Sequence, residues 1–393
     1  MDLRILIFLT VVSLILALAT TFVGKRLIQP SALGRRGRQV AWALLILCPV
    51  VGLAAFTGGR LIERSQFTNL LYIVGFTGLG VLGTLVPLLL VRDLLLLFSR
   101  RRRSANATAD EQAAVLSRRQ FLTRGSGRVV VGAAGVAVTA GVVQAARGPE
   151  VIEVDVPIEG LPPALEGYRI AQVSDLHVGP VLDQAWLTEV VALVRGVKPD
   201  LVAVTGDLVD GRVAELLPLL APLRDLDARD GAYFVTGNHE YYWDGPAWAE
   251  AVASLGLTVL GNAHRLIERD GARLLVAGVH DYRAESIEPT HVCDPAAALE
   301  GAPAADVRLL LAHQPKTLHA ARDLPYDLML SGHTHGGQLF PWNLLLHLVQ
   351  PVVAGLHRFG HMQVYVNRGT GWWGPPMRSP ARSEVTLLRL VKA

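Results

Sequence analysis

Leu201-Val202-Ala203-Val204-Thr205-Gly206-Asp207-Leu208-Val209-Asp210-Gly211 is a short β-branched run that stops abruptly at a glycine and an aspartate. The run reads as a strand, Leu201 to Thr205, and Gly206-Asp207 as the loop that ends it. The pattern recurs on both sides. Tyr168 to Val173 precedes Asp175-Leu176-His177, Tyr233 to Thr236 precedes Gly237-Asn238-His239-Glu240, Val307 to Ala312 precedes His313, and Asp327 to Leu330 precedes Gly332-His333-Thr334-His335. Leu274 to Ala277 is a further strand.

Amphipathic stretches separate these strands, as in an α/β domain whose helices cover sheet faces. Asp183 predicts the N-cap of a helix whose apolar stripe is Trp186, Leu187, Val190, Val191 and Val194. Asp270-Gly271 predicts a hairpin turn. In open α/β sheets ligands bind beyond the carboxyl ends of the strands, so five such loops would bring their polar residues to one place.

The ordered set of five strings resembles the calcineurin-like metallophosphoesterases over about Val151 to Val391. The resemblance implies a four-layer α/β/β/α sandwich, two mixed sheets face to face with helices outside. It also implies a two-metal phosphoester hydrolase. Asp207 would bridge both ions, with Asp175, His177 and His335 completing one site and Asn238, His313 and His333 the other. His239 would be the general acid.

The chemistry needs those residue types. Phosphoester hydrolysis requires an activated water and compensation of charge on the phosphoryl and leaving oxygens, and two divalent cations about 3.5 to 4 Å apart supply both. Two cations, two aspartates and a bridging hydroxide leave a centre of about +1, which attracts an anion, and the Asn238 amide adds a ligand without adding negative charge. Oxygen and imidazole ligands without thiolate suit Mn, Fe or Zn. Glu240 stands where the family often has aspartate, so a role in orienting His239 does not carry over. Asp210 reads either as a carboxylate fixing a ligand imidazole or as a turn or capping residue. Arg378, with Trp372 and Trp373, reads as a residue of the cleft rim that meets phosphate as a fork, or as a surface arginine beside core tryptophans. Pro341 to Val353, with Trp342 and four leucines, reads as a buried strand–loop insertion, the alternative being a segment that dips into lipid. His264, His280, His291, His319, His347, His357 and His361 match no ligand motif.

The first third is different. In a chain of 393 residues with 18% charged residues, the long runs of predominantly apolar, uncharged residues lie within the first 145 positions. Ile5 to Val23, Val40 to Thr57 and about Phe67 to Val91 each suffice to cross a hydrocarbon core of about 30 Å. Gly75, Gly78, Gly80 and Gly83 suit close helix approach, and no Lys-Ser/Thr succeeds them as in a phosphate-binding loop. Lys25, Arg26, Arg35, Arg36 and Arg38 come after the first run and Arg92 with Arg100 to Arg103 after the third, so both connections belong in the cytoplasm. Ser117-Arg118-Arg119-Gln120-Phe121-Leu122 before a mild apolar stretch resembles a twin-arginine export signal, or flanks an ordinary fourth span. Either places the chain beyond Ala145 outside the cytoplasm, in a bacterial cell membrane or released from it. The organisation is therefore a membrane region at 1–99, a basic cytoplasmic linker at 100–128, a fourth apolar helix or signal core at 129–146, and the metallophosphoesterase domain at 147–393.

Cys48 and Cys293 fall in different regions and form no expected bridge. The arginines cluster between apolar runs without interleaved aromatics, which argues against nucleic acid. The expected partners are a phosphoester substrate, the membrane and the twin-arginine export machinery. The rival is a membrane sensor or transport protein whose outer domain binds metal or phosphate without turnover; the first three runs carry no mid-helix charge, which argues against a solute path.

Overall fold

The computed structural model describes residues 3–58, 65–100, 109–179 and 181–393. The chain forms two compact units: Met1–Val143 with Gly374–Met377, and Gln144–Trp373 with Arg378–Ala393. In the first lie α1 (Leu3–Leu27), α2 (Arg35–Gly58), α3 (Gln66–Arg100) and most of α4 (Ala109–Ala146). All four contain a stretch long and apolar enough to cross a membrane. Helices α2 and α3 pack closely where Gly75 meets the backbone of Val51 and Gly52; a Cβ at Gly75 would come within 2.8 Å of it. Residues 101–108 of the segment expected as linker lie outside the described residues. From Ala109 onward the chain is helical instead, because Ala-Asp-Glu-Gln-Ala-Ala-Val-Leu is composed mostly of good helix formers. The arginine pair at 118 and 119 thus falls inside α4 rather than in a loop.

The second unit is a sandwich of two six-stranded mixed sheets. One has the order β1 (Glu150–Ile158), β12 (Glu384–Lys392), β2 (Arg169–Val173), β3 (Leu201–Val204), β4 (Ala232–Phe234), β5 (Thr258–Val259). The other has the order β10 (Gly355–Phe359), β11 (Met362–Val366), β9 (Leu328–Ser331), β8 (Val307–Leu311), β7 (Ala272–Gly278), β6 (Ala263–Arg269). The faces follow from the two-residue period of a strand. Leu201 and Ala203 point between the sheets with Leu309, Leu311, Leu328 and Leu330. Val202 and Val204 point outward to α5 (Gln184–Gly196) and α8 (Gly245–Ser254), against Leu187, Val191, Trp248 and Val252. Leu310, Met329 and Val364 face outward from the second sheet against Leu318, Ala321 and Tyr326.

The six expected strands are all present, each within two residues of its expected limits. Asp183 caps α5, accepting from the Trp186 amide at 3.0 Å. Asp270 and Gly271 join β6 to β7 with φ of 48° and 84°, as a type I′ turn requires. Strands β1 and β12, unread in the sequence, pair in parallel over nine residues and close the first sheet.

Pro341 to Val353 departs from the buried insertion expected of it. Val352 and Val353 are buried, but Phe340, Trp342, Leu344, Leu345, Leu348 and Val349 are exposed. An apolar run reports what a segment could bury, not whether the fold supplies something to cover it.

Candidate metal centre

Strands β2, β3 and β4 of one sheet and β8 and β9 of the other end at the same edge of the sandwich, where Asp175, Asp207, Asn238, His313 and His333 follow them. The loops are tight. Asp175, His177, Asp207, His333 and His335 all have φ between 47° and 70°, a left-handed conformation uncommon for non-glycine residues and concentrated at functional sites. Gly237 shows why a glycine precedes Asn238: a Cβ there would lie 2.2 Å from Asp207 Oδ1.

Two sets of side chains meet around Asp207. Ligand atoms of Asp175, His177 and His335 lie within 4.8 Å of one another, as do those of Asp207, His313 and His333. The Asp207 Oδ2 stands 3.2 Å from His313 Nε2 and 3.9 Å from His177 Nε2, so one carboxylate faces both sets. His177 Nε2 and His335 Nε2 are 3.1 Å apart, and His333 Nδ1 is 3.2 Å from His313 Nε2. His335 Nε2 lies 3.4 Å from Asp175 Oδ1. One ring is also held from behind: His313 Nδ1 donates to Thr205 O at 2.7 Å, which turns Nε2 toward Asp207.

These residues fit divalent cations by an observation independent of motif. The Asn238 Oδ1 is buried and has no hydrogen-bond partner, a costly state for an amide oxygen, and Asn238 adjoins His239, whose amide donates to Asp207 Oδ1 at 2.8 Å. A cation would satisfy it. Electrostatics agree for two of the histidines: burial, and then the positive charge of His313, pull His333 down to about 3, and burial with its His177 neighbour puts His335 well below the usual histidine range. Both rings are neutral, as ligands must be. Burial disfavours charge on Asp207, but His313 and His239 outweigh it and keep that carboxylate ionised.

Asp210 is not a simple turn residue. Its Oδ1 lies 2.5 Å from His239 Nδ1 and its Oδ2 3.2 Å from His177 Nδ1, so it grips a ligand-type imidazole and the adjacent His239 together. Burial opposes ionisation of Asp210, yet the two histidines hold it well below the usual carboxylate range. For His239 burial favours the neutral ring, but Asp207 and then Asp210 raise it to about 9. The ring of His239 lies between Tyr242 and Trp373, at centroid distances of 5.1 and 5.4 Å.

Glu240 does not touch His239. It is the third residue of α7 (Asn238–Trp243) and accepts from four amides: Gly237 at 2.6 Å, Leu208 at 2.7 Å, Asp207 at 3.0 Å and Val209 at 3.3 Å. It locks the Asp207 loop to the start of α7. The rim position expected for Arg378 is also not observed. Arg378 is fully buried, donates to the carbonyls of Arg368, Gly369 and Gly371, and rests 3.1 Å from His335 Nδ1. Its planar fork matches converging backbone carbonyls that the sequence does not announce. Trp372 is buried, whereas Trp373 stands at the rim.

Two histidines outside the motifs lie close by. His280 and His291 stack at 4.1 Å, and their Nδ1 atoms lie 3.1 and 2.8 Å from the Tyr241 hydroxyl. Tyr241 is three residues from Asn238, and no spacing signal in the sequence links it to residues 280 and 291.

The calcineurin-like phosphoesterase family model matches residues 168–337. A Danio rerio protein described as a transmembrane protein with metallophosphoesterase domain is 40% identical over 264 residues, covering 64% of this chain and 60% of its own. An uncharacterized metallophosphoesterase of Helicobacter pylori is 37% identical over 225 residues, 57% of this chain and 60% of its own. Another, from Aquifex aeolicus, is 32% identical over 236 residues, 59% of this chain and 88% of its own. The chain thus spans about 60% of the length of the first relatives it matches.

Proposed function

The chain belongs to the calcineurin-like phosphoesterase family, and from that premise we propose that it hydrolyses phosphoesters at two divalent cations held by Asp175, His177, Asp207, Asn238, His313, His333 and His335. The observation that carries this reading is the position of the Asp207 carboxylate, which faces both sets of ligand-type side chains. Cations bound there would activate a water and neutralise phosphoryl charge; Mn, Fe and Zn all suit the donor set.

The chain's own residues do the rest. His239 is protonated near neutral pH and has its Nδ1 committed to Asp210. Its Nε2, 3.8 Å from Asp207 Oδ2, faces the centre and can give a proton to the leaving oxygen. Asp210 fixes this ring and that of His177 in one register, so acid and ligand keep their spacing. Glu240 sets the height of Asp207 through the four amides. Tyr242 and Trp373 flank the ring of His239.

The basic connections before α2 and α4 support an extracytoplasmic position for the catalytic unit, by the positive-inside rule. The string at 117–122 supports delivery of a folded, metal-loaded domain by a bacterial twin-arginine route. The substrate would then be a phosphoester of the cell envelope or a lipid-linked phosphate. The test uses the full chain in detergent with Mn²⁺ and an aryl phosphodiester and monoester. Turnover abolished by Asp207→Ala supports the proposal. Metal binding without turnover on either ester would favour a binding module instead.

A further inference from the structure

The metal loop at His333–His335 supports an apolar projection. Beyond His335 the chain turns through Gln338 and presents Phe340, Trp342, Leu344, Leu345, Leu348 and Val349 to solvent, with Leu348 80% and Phe340 61% exposed. From Leu339 to Leu356 only His347 can carry charge. The projection is firmly based. Phe340 N donates to Ser379 O at 2.7 Å, residues Asn343–Leu346 form a helical turn, and Gln350 N donates to Leu346 O at 2.8 Å. Both ends are tied to the metal loop. Thr334, between the two histidines, donates to Val353 O at 2.6 Å. Gln338 exchanges hydrogen bonds of 2.8 and 3.2 Å with Trp373, the residue whose ring flanks His239.

Exposed apolar patches of this kind mark interaction sites. We propose that residues 340–349 are a docking surface for a lipid bilayer. The chain itself argues for that occupant over a protein. Among the described residues it carries four helices able to cross a membrane, and only three residues separate the end of the last at Ala146 from the start of β1 at Glu150. Trp and Phe beside leucines, with no acidic residue to repel anionic headgroups, is also the composition of interfacial segments. Docking would open the His239 side of the cleft toward the headgroup layer, so that an amphiphile presents its phosphate to the centre and keeps its acyl chains in the membrane. This assignment of a lipid phosphoester rests on the hydrolase reading above; the docking does not.

The test uses the full chain with Cys48→Ser and Cys293→Ser, in nanodiscs of phosphatidylcholine and phosphatidylglycerol. A spin label at Leu348→Cys should be reached by oxygen and protected from a water-soluble nickel reagent, unlike a control label at Glu189→Cys on the exposed face of α5. Nickel access at 348 equal to the control overturns docking. Protection from both reagents also overturns it, because that marks a protein partner or a second copy. In the second arm, Leu345→Ser with Leu348→Ser should lower hydrolysis of a diacyl phosphomonoester in the same discs by about tenfold and leave soluble aryl-ester turnover within about twofold. Equal turnover of the lipid overturns the substrate class. If the wild type hydrolyses neither ester, the hydrolase reading fails while the spin-label result still decides the docking.

Discussion

Asp210 holds His239 through a contact of 2.5 Å between Oδ1 and Nδ1, and its other oxygen reaches His177. This carboxylate therefore orients the proposed acid and, together with Asp207, raises its proton affinity.

Asp210→Asn should lower kcat by about 10- to 100-fold, the usual cost of removing a group that orients a ligand or acid imidazole. Because Asp210, after Asp207, raises His239 toward about 9, the substitution makes His239 lose its proton at lower pH. The alkaline limb of the kcat profile should move to lower pH, which rates between about pH 6 and 10 will show; a slower enzyme with an unmoved limb would contradict the role.

Glu240→Gln keeps the shape of the side chain but puts an NH₂ where amides must be accepted. At about 1–3 kcal/mol for each buried donor left unpaired, the domain should lose several kcal/mol and bind Mn²⁺ more weakly as the Asp207 loop loosens. Chemical denaturation and metal titration check both. Unchanged stability and affinity would mean that the four amides do not depend on this carboxylate.

Stability should fall in mild acid through His280. Burial, and then its neighbour His291, pull His280 to about 4, below the ordinary 6.5. The unfolded chain takes up this proton first, so the native state is favoured above pH 6.5 and loses that advantage as the pH falls from 6.5 toward 4. His280→Gln should flatten the pH dependence in that window, as read by urea melts at about pH 7, 5.5 and 4.5. A slope identical to the wild type would remove His280 as its source.

Much of this was legible in the sequence because short buried strands announce themselves. Leu201–Val204 is apolar throughout since both of its faces are covered, and its end is marked by the change to Gly206-Asp207. Asp183, Asp270 and Gly271 were legible for the same reason, as local geometry dictates those residue types. What depended on distant partners was not. Strands β1 and β12 pair residues more than 230 positions apart. Glu240 acts on backbone amides and Arg378 on backbone carbonyls, and neither kind of partner leaves a trace in residue identity. The exposure of Leu348 is of the same sort, because hydrophobicity does not say which surface remains uncovered.

The most direct test is to measure bound metal and turnover in the same preparations of full-length wild type and Asp207→Asn. The account predicts about two divalent ions per wild-type chain, aryl-ester hydrolysis that disappears on chelation and returns with Mn²⁺, and loss of both metal and activity in the variant. Full hydrolysis by wild-type protein shown to be free of divalent metal would contradict it.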